Sequence, residues 1–341
     1  MNYRQLGTTG LSVSVIGFGG VPINRVSTQR ALRTLHRAFD LGINFVDSAR
    51  SYGDSEEKIG AALRQYGAGR EDIIIVTKSR ARDFRGMADD IETSLRALRT
   101  EHIHLYQIHD PDREDLERAL APGGAVEALT AARDAGKIGH IGVSGHRPRV
   151  LIPAMETGLF ETVQLPLNII DYPLFRENIP AAVRRNLGII VMKPLCGGLL
   201  ESPPRALRFV LSHPVSTVIP GMDSPAQVEE NAESGREEVD LSEVDMARLQ
   251  AEAEELGREF CRRCGYCGIC PAGLKIPEIL RFDRYYTSYF SKDWAQEQYR
   301  ALEVTVDGCL DCGECEQICP YQLPIRRMLR EAHTRLSGGD G

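Results

Sequence analysis

Eight of the nine cysteines lie in one stretch near the end of the chain, in two sets whose spacing suits metal binding. The sets are Cys261, Cys264, Cys267 and Cys270, followed by Pro271, and Cys309, Cys312, Cys315 and Cys319, followed by Pro320. The second set has the Cys-x2-Cys-x2-Cys-x3-Cys-Pro spacing in which closely spaced thiolates bind three corners of one iron-sulfur cluster. The sequence therefore predicts 4Fe-4S clusters. Zinc is the alternative, because paired Cys-x2-Cys motifs also bind that metal.

The number of clusters depends on how the two sets share their ligands. Two-cluster ferredoxins exchange one ligand between motifs. That exchange assigns one cluster to Cys261, Cys264, Cys267 and Cys319, and the other to Cys309, Cys312, Cys315 and Cys270. The first set has two residues instead of three before its last cysteine, so a single cluster remains an alternative. Segments 276–290 and 293–304 have helical patterns, and the module resembles the α-helical ferredoxin type.

A second group of reactive side chains follows three apolar segments in the first third of the chain. Asp47 and Lys78 each come directly after such a segment, His109 ends another, and Tyr52 lies shortly after Asp47. A nearby ammonium favours the phenolate and so makes a tyrosine a proton donor near neutral pH. An aspartate orients the lysine, and a histidine hydrogen-bonds a carbonyl oxygen. The four residues predict carbonyl polarisation and protonation, but nothing in them supplies a hydride. Helix capping by Asp47 and a turn role for His109 are the alternatives.

Eight short segments rich in Val and Ile alternate with helical patterns between residues 13 and 220. They span 13–19, 43–47, 73–78, 103–109, 138–144, 162–167, 188–193 and 216–220. This alternation indicates a parallel sheet covered by helices, and eight units predict an α/β fold of the (β/α)8 TIM barrel type. A doubly wound sheet is disfavoured because Gly17, Gly19 and Gly20 do not form its phosphate-binding turn. Residues 3–13 predict a hairpin on the barrel floor.

The change from apolar segments to clustered cysteines divides the chain. We predict a barrel over 1–240, a connecting helix over 241–258, a ferredoxin-like domain over 259–330 and a flexible tail over 331–341. The connecting helix starts with Ser242 and Asp245 in capping-box spacing.

Composition restricts the function classes. The 341 residues are 42% hydrophobic and 26% charged, which is typical of a globular protein. The net charge of -7 argues against nucleic acid or anionic membrane as partner. There is no apolar run of membrane-spanning length and no signal-peptide pattern at the start, so we expect a cytoplasmic protein. Only 6 of the 41 basic residues are lysine, which makes Lys78 conspicuous after its aliphatic strand.

Several segments together resemble successive motifs of the aldo-keto reductase superfamily over residues 1–235. They are DSARSYGDSEEKIG, VTKS, LYQIHDP, IGVSGH, QLPLN, VMKPL and VIPGM. The resemblance implies hydride exchange between NAD(P)H and a small carbonyl or alcohol substrate, with Tyr52 as general acid beside Asp47, Lys78 and His109. It also implies that Ser144 and Gln164 hold the nicotinamide carboxamide. The residues it assigns to the rest of the cofactor are Leu195, Gly197, Gly198, Gly221, Met222, Gln227, Glu230 and Asn231, with Lys193 and Arg208 as candidate phosphate contacts.

Three departures from the family pattern bear on the cofactor. Gly145 replaces an asparagine, Met192 replaces an aromatic residue, and no cation occupies the positions that grip the adenosine 2′-phosphate. The choice between NAD and NADP therefore stays open. The departures favour an alternative, a nucleotide-binding redox sensor or partner-binding protein with little turnover. A cofactor-independent lyase or isomerase is a third reading. The clusters either relay electrons to a redox protein partner or stabilise the fold. Cys196 is expected to be a small buried residue.

Overall fold

The computed structural model describes residues 1–236, 241–257, 261, 266–288, 292–319 and 322–338. The chain forms two compact units, Met1–Gln250 and Ala251–Gly341. Of the predicted cluster ligands, Cys264 lies outside the described residues. Within the described ranges, no helix is long and apolar enough to cross a membrane.

The first unit is built on eight parallel strands that pair in sequence order. They are β3 (Phe18–Gly19), β4 (Phe45–Asp47), β5 (Ile74–Ser79), β6 (Ile103–His109), β7 (Ile138–Ser144), β8 (Thr162–Pro166), β9 (Gly188–Met192) and β10 (Thr217–Ile219). Parallel bridges from Ile16 to Val218 and from Gly19 to Gly221 join the first strand to the last. The predicted (β/α)8 barrel is therefore confirmed.

Helices cover the outside of this barrel. They are α1 (Thr28–Asp40), α2 (Ser55–Tyr66), α3 (Phe84–Leu98), α4 (Arg113–Leu120), α5 (Ala125–Asp134), α6 (Pro148–Glu156), α7 (Tyr172–Phe175), α8 (Asn178–Arg184), α9 (Pro203–Leu211) and α10 (Pro225–Glu233). A further helix, α11 (Glu243–Gly257), follows α10 in the chain. Short 3₁₀ helices span Pro22–Arg25 and Gly67–Asp72. In α1, Leu35 and Phe39 are buried one turn apart, so the helix buries one face and leaves the other to solvent. A Cβ on Gly60 would lie 2.4 Å from the Ala97 carbonyl oxygen, so only glycine lets α2 approach α3 this closely.

The predicted hairpin is present as β1 (Tyr3–Gln5) and β2 (Ser12–Ser14), which pair antiparallel. Leu6 and Val13 are fully buried and pack with interior barrel residues that include Phe45 and Leu105. Its Gly7 has a φ of 56°, and a Cβ there would lie 2.2 Å from the Gly188 nitrogen. The hairpin therefore closes the barrel at the end opposite the C-termini of the strands.

A histidine near the start of β6 makes the barrel sensitive to acid. His104 accepts a hydrogen bond from the Ile75 amide at 3.1 Å through Nδ1. Burial, assisted by His102 and His140, lowers the pKa of His104 to about 4. The unfolded chain takes up this proton near pH 6.5, before the folded chain does. The free energy of unfolding should therefore fall as the pH drops below 6.5, by about 2 kcal/mol between pH 7 and pH 5.

The variant His104→Asn keeps an acceptor for the Ile75 amide but removes the titrating ring. We measure the free energy of unfolding in urea at pH 7 and at pH 5. Between these values it should fall by about 2 kcal/mol less for this variant than for wild type. His36→Asn is the control, because the His36 Nε2 contacts the Ala62 carbonyl oxygen at 3.0 Å and no other imidazole adjoins it in the described part of the chain. An unchanged pH dependence in His104→Asn would contradict the assignment.

The second unit is helical, as predicted for the cysteine-rich module. It contains α12 (Ile276–Ser288), α13 (Lys292–Arg300), α14 (Glu314–Gln317) and α15 (Ile325–Leu336), with 3₁₀ helices at Tyr266–Ile269 and Val306–Gly308. The sequence placed residues 331–336 in a flexible tail, but they complete α15. Buried Ala332 and Leu336 continue the apolar face that Leu329 begins, so packing extends the helix.

The predicted connecting helix is α11. The Asp245 amide donates to Ser242 Oγ at 3.1 Å, which is the capping bond that the sequence indicated. The boundary between the two units falls within this helix, at residues 250 and 251.

Candidate active site

A buried ion pair joins the C-terminal ends of β4 and β5. The Lys78 ammonium donates to both carboxylate oxygens of Asp47 and to the Ser48 carbonyl oxygen, each at 2.7 Å. Both side chains are almost completely buried. Burial raises the pKa of Asp47 and lowers that of Lys78, and the contact between them opposes both shifts. Three oxygen acceptors around one nitrogen fit a charged ammonium, so the lysine charge is held at a fixed place beside the carboxylate.

Tyr52 lies in the loop after β4, directly over this charge. Its ring centroid is 4.9 Å from Lys78 Nζ. The ring meets the imidazole of His109 edge to face, with centroids 5.7 Å apart and planes at 88°. The structure therefore brings together Asp47, Tyr52, Lys78 and His109, the four residues that the sequence selected.

His109 is buried at the end of β6, and its surroundings keep it neutral. Burial, followed by the charges of Lys78 and Arg80, lowers its pKa well below the ordinary value. Its Nδ1 is 3.4 Å from Ser51 Oγ, and its carbonyl accepts a hydrogen bond from Arg82 at 2.8 Å. A neutral imidazole with Nδ1 facing a hydroxyl can carry its proton on Nε2. It is then suited to donate a hydrogen bond and unsuited to act as an acid near pH 7.

Two buried glutamines extend the site below Asp47, and the sequence analysis missed one of them. Gln107 donates to Gln164 Oε1 at 2.7 Å, and Gln164 in turn hydrogen-bonds the Asp47 side chain. Gln107 stands two residues before His109 on the same strand, and therefore on the same interior face. That alternation was a signal that could have identified it. The chain of amides fixes the orientation of the Asp47 carboxylate.

A second buried carboxylate fixes the loop that carries Tyr52. Glu56 accepts a hydrogen bond from Thr77 Oγ1 at 2.7 Å and pairs with the Arg50 guanidinium. The Arg50 amide donates to the Lys78 carbonyl at 3.0 Å. The loop is therefore held to β5 on both sides of Tyr52, which sets the tyrosine relative to the lysine.

The two residues assigned to the nicotinamide carboxamide are level with His109. Ser144 pairs in register with His109 on one side and with Gln164 on the other. Both Ser144 and Gln164 are buried, and Ser144 Oγ donates to the Ile108 carbonyl at 3.3 Å. Met192, at the end of β9, is also buried and lines the same interior.

The loop after β9 is tightly turned, and the Cys196 amide donates to the Lys193 carbonyl at 3.0 Å within it. Cys196, Gly197 and Gly198 follow one another with φ values of 50°, 74° and 85°, and Lys193 also has a positive φ of 56°. A Cβ on Gly198 would meet nothing within 4 Å among the described residues, so the loop is open at this point. Leu195 accepts the Gly198 amide at 2.9 Å and closes the turn.

The residues after β10 that the resemblance assigned to the cofactor lie in different surroundings. Gly221 pairs with Gly19, and a Cβ there would lie 2.8 Å from Pro22 Cγ. Gln227 Oε1 accepts the Asp223 amide at 2.8 Å, so this side chain stabilises its own loop. Glu230 is exposed.

Asn231 and Arg208, also assigned to the cofactor, occupy different surroundings. Asn231 is buried, and its Oδ1 has no hydrogen-bond partner in the described part of the chain. Such an acceptor fits an amino group of a nucleotide base. Arg208 lies on α9 and interacts electrostatically with Asp245.

The cysteine sets meet in the second unit. The 3₁₀ helix that carries Cys267 packs against α14, which carries Cys315, and both cysteines are buried in one hydrophobic core. Cys261, Cys270, Cys309 and Cys319 pack against the same core. Seven of the eight predicted ligands are therefore described, and six of them lie in or against one core; Cys312 is exposed.

The second cysteine loop is sharply turned and firmly held. Asp311 and Gly313 have left-handed φ values of 51° and 78°, which reverse the chain on either side of Cys312. Burial raises the pKa of Cys315, and Glu316 and the neighbouring thiols Cys309 and Cys312 add to the shift, which shows that the three thiols are close. Arg326 donates to Glu316 Oε2 at 2.8 Å and 3.0 Å, and to the Asp311 carbonyl at 3.2 Å.

Within the described residues, no three His, Cys, Asp or Glu side chains converge on a point as they do around one metal ion. In a four-iron cube each thiolate binds a different iron, so its ligands stand farther apart than those of a single ion. All-thiolate donors on tight turns, partly shielded by apolar side chains, fit such a cluster.

Comparisons with known proteins agree with this geometry. Residues 15–203, more than half of the chain, match the aldo/keto reductase family, and residues 260–324 match a 4Fe-4S dicluster domain. The chain is 30% identical over 219 residues to aldo-keto reductase YhdN of Bacillus subtilis, covering 59% of this chain and 64% of that protein, just under two thirds. It is 28% identical over 297 residues to L-galactose dehydrogenase of Arabidopsis thaliana, covering 71% and 92% respectively. The solved structure of aldo-keto reductase AKR11C1 from Bacillus halodurans, in its holo form, matches with a TM-score of 0.64 and 26% identity over 74% of this chain and 96% of that one.

Proposed function

This chain belongs to the aldo/keto reductase family of NAD(P)-dependent oxidoreductases, and we propose that its barrel exchanges hydride between NAD(P)H and a carbonyl or alcohol substrate, with Tyr52 moving the proton. One observation carries the proposal: Lys78, held by Asp47, lies 4.9 Å from the Tyr52 ring centroid while the ring meets His109. The nicotinamide, when bound, supplies or accepts the hydride.

The side chains divide the work at the substrate oxygen. The Lys78 ammonium stabilises the phenolate of Tyr52, so the tyrosine hydroxyl can give its proton to the carbonyl oxygen during reduction and recover it during oxidation. The neutral imidazole of His109 donates a hydrogen bond to the same oxygen and polarises the carbonyl. Asp47 keeps the ammonium in place, and the two glutamines keep Asp47 in place.

The predicted cofactor residues support binding across the ends of β7 to β10. Ser144 and Gln164 would hold the carboxamide, the 193–198 loop would lie against the phosphates, and Asn231 Oδ1 would accept from the base. Met222 and Gln227 have uncharged side chains, so neither offers a cation for a 2′-phosphate. The Arg30 guanidinium, which reaches the same loop as Gln227, is paired with the Asp223 carboxylate at 3.1 Å. We therefore expect NADH to bind better than NADPH.

The second unit is proposed to hold two 4Fe-4S clusters with crossed ligands. Packing of the 3₁₀ helix of the first cysteine set against α14 of the second supports sharing of ligands between the sets. Hydride transfer in the barrel does not require the clusters. We propose that they pass single electrons to or from a redox protein partner. A structural role is the alternative for the same cysteines.

A second candidate function is a redox sensor that binds nucleotide with little turnover. Gly145 favours it, since glycine provides no side chain to a carboxamide at the position where the family commonly has asparagine. The complete set of Asp47, Tyr52, Lys78 and His109 favours the enzyme.

Titration of the purified holoprotein with NADH and NADPH, with and without aldehydes, distinguishes these functions. We expect oxidation of NADH that depends on aldehyde, and about eight irons per chain in the same preparation. Bleaching of the visible iron-sulfur absorption by NADH would show that barrel and clusters exchange electrons. Tight NADH binding without turnover of any aldehyde or alcohol would refute the enzyme and favour the sensor.

A further inference from the structure

We propose that the substrate carries an anionic group, a carboxylate or a phosphate, and that Arg80 binds it beside the catalytic histidine. The inference rests on the proposed function, because it names the class of carbonyl compound that the barrel reduces. It starts from the charges that surround His109 at the ends of β5, β6 and β7.

Five cations stand at or next to these strand ends and the neighbouring loop. Four of them face a carboxylate: Lys78 with Asp47 at 2.7 Å, Arg82 with Asp115 at 3.1 Å, Arg147 with Asp110 at 3.9 Å, and Arg50 with Glu56. Arg80 is the fifth. It is exposed, and among the residues that the structure describes it has no carboxylate or carbonyl partner. Arg50 also faces Asp90 at 3.6 Å, so Arg80 is the one cation of the five without an ion pair among the described residues.

The position of Arg80 ties this charge to the reacting centre. It follows Lys78 by two residues, and Ser79 pairs in register with Ile108, so Arg80 comes level with His109. Its charge acts directly on the His109 imidazole. The cofactor residues lie at the ends of β7 to β10, so an anion at Arg80 would not compete with the nucleotide for space.

The backbone around Arg80 is fixed even though its side chain is exposed. On one side, the Ala81 amide donates to Ser79 Oγ at 2.9 Å, and Ser79 is itself bonded to Asp90. On the other side, Arg82 donates to the His109 carbonyl at 2.8 Å, and its own carbonyl accepts the Ala125 amide at 3.0 Å. The fixed backbone leaves only the side chain of Arg80 to be ordered when an anion binds, and the planar fork of its guanidinium matches a carboxylate or a phosphate.

Two pairs of aldehydes test the proposal. Succinic semialdehyde and butanal share four carbons and differ in a carboxylate, while glyceraldehyde 3-phosphate and glyceraldehyde differ in a phosphate. The wild-type protein should prefer the anion of at least one pair by about tenfold or more in kcat/KM. Arg80→Gln should reduce that preference about tenfold, mainly through KM. Arg85→Gln, which removes another exposed charge five residues later, should leave it unchanged.

Equal kcat/KM for charged and neutral members of both pairs, or an unchanged preference in Arg80→Gln, would overturn the inference. If no aldehyde or alcohol is turned over, the proposed function fails, and binding decides the inference by itself. Calorimetric titration of the holoprotein with succinate and with inorganic phosphate should then show about tenfold weaker binding of at least one anion to Arg80→Gln than to wild type. Equal binding of both anions to the two proteins would overturn it.

Discussion

Replacing Tyr52 by phenylalanine is expected to lower kcat for NADH-dependent aldehyde reduction by about 10²-fold to 10⁴-fold, the range by which a positioned proton donor accelerates such a step. The substitution removes the hydroxyl and keeps the ring, so the contacts with Lys78 and His109 are preserved. Folding and NADH binding should therefore persist. The loss would report the proton transfer alone.

Steady-state reduction of an aldehyde, together with fluorescence titration of NADH, measures both expectations. Tyr66→Phe is the matched control, since Tyr66 lies on α2 and packs against His36 and Phe39 outside the barrel interior. It should retain wild-type kcat. A Tyr52→Phe protein with the wild-type rate would eliminate the tyrosine as proton donor and leave His109 or a bound water to be tested.

Local sequence patterns predicted the parts of the site that depend on strand ends. Asp47 and His109 end their buried strands, Lys78 is the last residue but one of its strand, and the C-termini of parallel strands converge at one end of a barrel. Tyr52 could be placed because it follows Asp47 closely in a short loop. The proximity of these four residues is a consequence of topology, and topology was readable from the alternation of eight apolar segments with helices.

Contacts between loops could not be predicted in the same way. Asp110 accepts hydrogen bonds from both the amide and Nδ1 of His146 at 3.0 Å, and this contact depends on a left-handed φ of 49° at Asp110. Non-glycine residues adopt that conformation rarely, and only surrounding structure stabilises it. The unmatched charge of Arg80 was invisible for a related reason, because it depends on which arginines find carboxylates in space.

In the helical cysteine module, too, local patterns and tertiary packing determine different features. Cysteine spacing alone predicted the ligands, since neighbouring thiolates of one motif must reach one cluster. The clamp of Arg326 on Glu316 and the extension of α15 to Leu336 arise from tertiary packing, which spacing does not encode.

Replacing Lys78 by methionine is expected to lower the free energy of unfolding by about 3 to 5 kcal/mol, the usual cost of leaving a buried charge without its partner. Asp47 is only 2% exposed, so water cannot replace the ammonium. The carboxylate must then ionise at that cost or take up a proton. Lys137→Met is the matched control, because Lys137 and Glu92 form an ion pair whose side chains are each 45% exposed, and it should cost less than about 1 kcal/mol.

The double variant Asp47→Asn/Lys78→Met separates stability from catalysis. It has no buried charge, and its amide can still bond Gln164. Its free energy of unfolding in urea should therefore exceed that of Lys78→Met by at least about 2 kcal/mol. Its aldehyde reductase activity should remain as low as that of Lys78→Met, because no cation stabilises the Tyr52 phenolate in either protein. Recovery of activity together with stability would mean that the pair only holds the barrel mouth together. Recovery of stability alone would assign the lysine charge to proton transfer.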